Sequence, residues 1–516
     1  MRSASGGHWV VVTHEWFLTP EERGNPATGL DANGAWTEGN LVRPLVHGAT
    51  YFQRLYDELR VLRPGDQVYF TDWRGDPDEV LTDRGPSIGE VLCELAKSGV
   101  TIRALLWRSH SDHLDFNSQE NQHFGTELNE AGGAVLLDQR VRRLASHHQK
   151  LFVIRHRGNP AADLAFVGGI DLCHGRRDDV RHLGDPQTAP MDRRYGSRPP
   201  WHDVMLELRG PVVGDLLRCF IERWDDPHPL DRRTPYRMVI QRLARMPRHP
   251  GELPETFPDP PPAGPHTVQV LRTYAHKHPG FPFAPHGEYS IARAYLKAFR
   301  RAKSLIYLED QYLWSNLVAE GLREALERSP ELRIIAVVPR YPDQDGRVSG
   351  PPARHAQLEA LRLLDSDRVA VYDLENENGV PIYVHAKVCI VDDTWMTCGS
   401  DNFNRRSWTS DSELTCAIDS PELARSLRSQ LWSEHLCTDK TDEADPITGF
   451  TTWRETAAEL DNWYANGCQG PRPPGRIRRH RPEPLTRTQS LWAPWLAGHL
   501  YDPDGRKHAA RRRNTF

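Results

Sequence analysis

Apolar positions recur along the chain with two alternating periods. Phe52, Leu55, Tyr56, Leu59 and Leu62 fall at helical spacing and stop at Pro64-Gly65, which predicts a helix. A strand-like QVYFTDW follows, then a helical pattern at 87–97, a strand at 100–107, a more polar helix near 117–131 and short strands at 134–138 and 149–154. Beyond residue 266 the succession returns. A helix at 289–302 precedes the strand SLIYL, then come a helix at 315–328, LRIIAVV, a helix at 354–364, RVAVY and YVHAKVCIV. Each series closes on an amphipathic helix, at 211–224 and 421–435.

The same order twice implies duplication of an α/β unit. The fold expected is two duplicated α/β/α sandwich units, with mixed sheets packed about a pseudo-twofold axis. Eight prolines within 247–265 exclude helix or central strand there. The division is therefore a first unit at 1–246, a linker at 247–266, a second unit at 267–450 and an extension at 451–516. The extension repeats nothing. It offers one helix through Trp453, Ala457, Leu460 and Tyr464 before an Arg/Pro-rich end expected to be loosely ordered.

Composition narrows the classes. The 516 residues are 26% charged and 38% hydrophobic, which excludes a membrane-embedded or wholly disordered chain. No apolar run approaches the ~20 residues of a spanning helix, and the N-terminal apolar run is broken by His14 and Glu15. Residues 471–516 carry +8, leaving −13 on the rest of a chain whose net charge is −5. An acidic body argues against a DNA-coating role, while the basic tail suits an anionic membrane or a nucleic acid equally. Eight cysteines without a CxxC pair fit a reducing cytoplasm, with peripheral contact at a membrane left open.

The two series carry a matched pair of motifs. His147-His148-Gln149-Lys150 precedes LFVI and, later, Gly168-Gly169-Ile170-Asp171; His385-Ala386-Lys387 precedes VCIV, Asp392 and Gly399-Ser400-Asp401-Asn402. From His to Gly is 20 residues in one copy and 14 in the other, the excess lying in polar RHRGNPAAD, as a longer hairpin loop would. His and Lys two apart on a strand share a face. Brought together about the axis, two imidazoles and two ammonium groups suit a phosphodiester. One imidazole attacks phosphorus and the other protonates the leaving oxygen, while Lys150, Lys387 and Asn402 stabilise the growing charge. No metal or other cofactor is required. A zinc site finds no HExxH and no Cys pair.

These motifs resemble those of the phospholipase D superfamily, H-x-K-x4-D-x6-G-S-x-N in two copies. The second copy matches throughout. The first has Arg155 in place of Asp, and Gly169 and Asp171 in place of Ser and Asn. FVGGIDLCHGRRD (166–178), Trp201-His202-Asp203 and IYLEDQY (306–312) resemble the phospholipid-cleaving branch.

The resemblance implies phospholipid cleavage to phosphatidic acid and free alcohol through a phosphohistidine, with water or another alcohol as acceptor. It implies His148 as nucleophile and His385 as general acid, with Lys150, Lys387, Asp392 and Asn402 in the catalytic set. Supporting places fall to Asp171 and Ser400 in the motifs, to Asp178 and Glu413 as partners of histidine Nδ1–H, and to Glu309 and Gln311 along the cleft. Arg155 is expected to face solvent or pair with Asp163. A monomer with a phospholipid substrate and no obligate nucleic acid is expected. The alternatives are a phosphatidyltransferase such as a cardiolipin or phosphatidylserine synthase, a nuclease of the same superfamily, and a lipid-binding module without turnover.

Overall fold

The computed structural model describes residues 14–30, 35–108, 118–230, 249–313, 315–343, 350–364, 366–438, 445–497 and 501–516. Its first half contributes β1 (Thr37–Val46), β2 (Gln67–Asp72), β3 (Thr101–Trp107), β4 (Ala134–Asp138), β5 (Leu151–Arg155), β6 (Leu164–Gly168), β7 (Trp201–His202) and β8 (Val204–Arg209). The remainder contributes β9 (His266–Tyr274), β10 (Glu288–Tyr289), β11 (Leu305–Glu309), β12 (Arg333–Val337), β13 (Val369–Glu375), β14 (Pro381–Val384), β15 (Val388–Val391), β16 (Trp395–Gly399), β17 (Glu413–Asp419) and β18 (Ile477–Arg479).

Pairing gives two sheets of one design. The first runs β4-β3-β2-β5-β6-β8-β1, and the second runs β13-β12-β11-β15-β16-β17-β9. In both, the first three strands are parallel and the last four antiparallel. The strand orders correspond one to one, so the duplication read from the sequence is a duplication of topology. The hydrophobic reading did not include β8, β16, β17 or β18, nor β1 and β9, which pair with each other at Thr37↔Val268 and Asn40↔His266 and join the sheets edge to edge.

Strand residues alternate between two buried faces. On β2 and β11, Tyr69 and Tyr307 enter a central core that also holds Val153, Leu206, Val388 and Val270. Their neighbours Val68 and Phe70, and Ile306 and Leu308, enter separate outer cores. The outer core of the first sheet is closed by α1 (Gly48–Leu59), α2 (Ile88–Ser98) and α3 (Ser118–Glu130). Helices α4 (Val212–Trp224) and α8 (Pro421–Leu436) enter the central core. That of the second sheet is closed by α5 (Ser290–Arg301), α6 (Asn316–Arg328) and α7 (Gly350–Leu363). The sheets therefore face each other across one shared core.

Helix ends follow their caps. Ser87 and Glu90 form a capping box at the start of α2, and Gly99 closes that helix in the left-handed region at φ 99°.

Two expectations are corrected. YVHAKVCIV is not one strand: residues 385–387 break it, because β14 pairs with β13 and β7 whereas β15 pairs with β11 and β16. The extension is also more ordered than its composition suggested. After α9 (Pro446–Ala465), β18 lengthens the second sheet beyond β13, α10 (Gln489–Leu496) lies on α7, and Phe516 packs near Trp408 and Tyr289.

Candidate active site

Each His-x-Lys segment enters its sheet from the loop before β5 or β15, and each is tied to the other half before it arrives. The N–H of His148 donates to the carbonyl of Ser412 at 3.0 Å, and that of His385 donates to the carbonyl of His202 at 2.8 Å. Ser412 and His202 lie just before β17 and β8, the corresponding closing strands. The residue next to each then supplies a carboxylate to the incoming imidazole. Nδ1 of His148 lies 3.0 Å from Oε2 of Glu413, and Nδ1 of His385 lies 2.6 Å from Oδ2 of Asp203. The acids are exchanged between halves. With Nδ1 facing a carboxylate, Nε2 is the free position of both rings, and neither Nε2 has a hydrogen-bond partner among the described residues.

The lysines complete the cluster. Lys150 Nζ donates to the carbonyl of His148 at 3.0 Å and lies 3.3 Å from Asp171 Oδ1. Lys387 Nζ donates to the carbonyl of His385 and approaches Gln311 Oε1 at 3.4 Å. Aromatic rings flank the histidines: Trp73 stands 6.3 Å from His148, and Trp201 stands 4.9 Å from His385.

Burial sets the electrostatics. It pushes both histidines well below the usual imidazole range, with Lys150 and Lys387 pushing the same way. Burial also brings Lys387 down to about 8. Glu413 is pushed up to about 8 by burial and by nearby Asp411, although the Ser400 and Ser407 hydroxyls donate to it at 2.6 and 2.7 Å. Burial thus disfavours charge on both partners, and the His148 ring is held neutral. Asp171 remains ionised because Lys150 overcomes its burial, while burial and Asp171 keep neighbouring Asp72 protonated.

The structure brings together His148, Lys150, His385, Lys387, Asp171, Ser400, Glu413 and Gln311. Asn402 stands at the position corresponding to Asp171 and is buried, with Oδ1 unpartnered among the described residues. Three expectations are corrected. Asp392 lies at the far end of β15, where its carboxylate accepts from the N–H groups of Lys303, Ser304 and Leu305, so it fixes a turn. Asp178 accepts from the backbone of Trp201 and Asp179 and touches neither catalytic-motif histidine. Glu309 is fully buried between His202, at 2.7 Å, and His435, at 2.8 Å, behind the cleft.

Asp203 was within a recognised stretch, but sequence reasoning gave it no role. Its signal was positional, since it precedes β8 as Glu413 opens β17. Gly169 becomes intelligible with it. A Cβ at Gly169 would fall 2.1 Å from Asp203 Oδ1, so the shorter acid occupies the room that Ser400 takes in the other half.

A buried histidine–glutamate network behind the site was also missed. His47, His182, His202 and Glu434 converge, as do His202, Glu309 and His435, and either group could hold a metal ion. The His–Glu separations of 2.7–2.8 Å are those of charge-assisted hydrogen bonds. Burial opposes charge on His202, yet Glu309 raises it to about 9.

Comparison with known proteins agrees with this geometry. The family model described as phospholipase D matches residues 74–233, and the model described as cardiolipin synthase, PLD-like domain, matches residues 295–434. Each spans one His-x-Lys motif. The chain belongs to the phospholipase D superfamily. Phospholipase D alpha 2 of Oryza sativa subsp. japonica is 25% identical over 76% of this chain and 65% of its own length. Phospholipase D2 of Bos taurus is 25% identical over 83% of this chain and 56% of its own. The chain thus spans less than two thirds of either relative. Among solved structures, the phosphatidylserine synthase of Haemophilus influenzae Rd KW20 aligns with 83% of this chain and 93% of its own at 13% identity and a TM-score of 0.49.

Proposed function

We propose that the protein is a phospholipase D-type phosphodiesterase, cleaving glycerophospholipids to phosphatidic acid and free alcohol. The observation that carries this reading is the pair of imidazoles, each held at Nδ1 by an acid of the other half and each accompanied by a lysine. His148 Nε2 attacks phosphorus, and the bond to the head-group oxygen breaks as His385 protonates that oxygen. Both rings are neutral in the empty site. The arriving phosphate anion raises the affinity of His385 for the required proton, reversing the push of the lysines. Neutral His385 then takes a proton from water or an alcohol, whose oxygen displaces His148 from phosphorus. Lys150 and Lys387 hold the equatorial oxygens.

Leu491 and Trp495 on α10 are 84% and 65% exposed, and we assign them to contact with the lipid surface. A narrow crevice beside Gln311 is lined by Tyr312, by Arg354 of α7 and by Pro482 in the chain leading to α10.

The test is product analysis from phosphatidylcholine vesicles with and without a primary alcohol, alongside a plasmid-nicking control. Phosphatidic acid in water and a phosphatidyl-alcohol when alcohol is added support the reading. Nicking without lipid turnover overturns it in favour of a nuclease. His148→Ala and His385→Ala are each expected to abolish turnover, and Lys150→Ala or Lys387→Ala to lower it a hundredfold or more, about 3 kcal/mol of transition-state stabilisation.

A further inference from the structure

Arg176 is a buried charged group near the site with no carboxylate partner among the described residues. Its side chain is only 8% exposed, yet it makes no hydrogen bond or ion pair with any described residue. A buried guanidinium is ordinarily held by carboxylates or carbonyls. Its neighbour Arg177 pairs with Asp83 at 2.6 Å, and Arg74 pairs with Asp76 at 2.9 Å.

Arg176 instead lies flat over the indole of Trp201, with Cζ 3.9 Å from the ring centroid. The same indole packs against His385 at 4.9 Å between ring centres. The stack fixes the plane of the guanidinium, while Nε is buried and without a partner. A preoriented, unpaired planar cation beside the second histidine is the form that recognition of a phosphate edge takes.

The charges already in the site show what remains to be neutralised. Lys150 is offset by Asp171 at 3.3 Å, Lys387, brought down to about 8, keeps most of its charge at neutrality, and burial disfavours charge on Glu413 and Asp72. Asp203, raised by burial, faces His385. A diester brings one negative charge, and a phosphate monoester brings up to two.

We propose that Arg176 forms an oxyanion subsite on the His385 side of the cleft and engages the dianion of a phosphate monoester more strongly than the monoanion of a diester. Resting on the phosphodiesterase reading, this makes Arg176 the residue that sets retention of the monoester product. In the forward reaction Arg176 touches the same phosphorus group with its single charge, so its contribution to substrate binding is the smaller one.

The test uses inorganic phosphate as probe, in calorimetric titrations of the full-length protein, its Arg176→Met and Arg176→Lys variants, and Lys387→Met as a site control. Arg176→Met is expected to weaken phosphate binding at least tenfold at pH 8. KM for a soluble phosphodiester should rise only a few-fold. Arg176→Lys should recover part of the binding, since it restores charge without the planar edge. Thermal melting of each variant separates loss of the subsite from loss of the fold.

Phosphate binding unchanged in a folded Arg176→Met protein, while Lys387→Met weakens it, overturns the proposal. An equal loss of phosphate and diester binding overturns the dianion preference. The pH profile adds a readout that packing alone does not give. Arg176 is one of the cations that depress His385, so its removal should move the His385-dependent limb to higher pH. If no substrate is turned over, the phosphate titration still decides on Arg176, and the phosphodiesterase reading alone fails.

Discussion

Gly169 shows how one residue's identity follows from the side chain opposite. The first motif departs from Gly-Ser at this position because Asp203 already fills the space of a side chain. Restoring the family residue should therefore do harm. Gly169→Ser is expected to push Asp203 away from His385 Nδ1 and lower kcat by about two orders of magnitude, the scale of losing a positioned catalytic interaction. The protein should remain folded by circular dichroism. Unchanged kcat would mean that Asp203 does not orient His385.

Arg155 teaches the same lesson about context. Sequence alone allowed it to face solvent, but it is fully buried, pairs with Asp163 at 2.6 Å and donates to the carbonyls of Phe257 and Pro258. Removing one partner of a buried pair strands the other, so Arg155→Ala should cost about 3–5 kcal/mol in denaturant unfolding. Turnover below the melting temperature should be retained. A loss under 1 kcal/mol would return Arg155 to the class of exposed pairs.

At the scale of elements, periodicity located the outer helices and the strands beneath them, because each buries a face whose repeat is local. It did not locate β1 and β9, whose roles depend on a partner more than 200 residues away. Nor did it divide β14 from β15, since the break at His385 is imposed by a change of partner rather than by a turn residue. The motifs delivered both His-x-Lys pairs and Glu413. They did not deliver Asp203, because it lies outside the repeated motif and meets His385 only through the fold.

The extension needed a different correction. Much of its positive charge is spent within the fold, Arg472 and Arg478 on Glu375 and Arg506 on Asp504. The proposal of lipid contact therefore rests on the exposed apolar edge of α10. Leu491→Ser with Trp495→Ser is expected to weaken sedimentation with phospholipid vesicles at least tenfold without changing hydrolysis of a soluble phosphodiester. Equal sedimentation of variant and parent would assign α10 a packing role only.

At the scale of the whole molecule, the exchange of acids makes the imidazoles reporters on the opposite half. In ¹⁵N spectra of histidine-labelled protein, Glu413→Gln should perturb the His148 ring nitrogens and leave those of His385 nearly unchanged. Asp203→Asn should do the reverse. Perturbations confined to the histidine of the mutated half would contradict the exchanged geometry.

The exchange also bears on how such a fold can arise. A single unit carries a complete His-x-Lys motif, but the acid that orients its histidine projects toward a neighbour. One unit by itself is therefore a donor and a recipient with nothing to receive from. Either histidine is completed only by a second copy of the unit, here carried on the same chain. The constraint on the halves is therefore one of fit rather than identity: Ser goes with Glu in one and Gly with Asp in the other, and each acid meets the histidine across the seam.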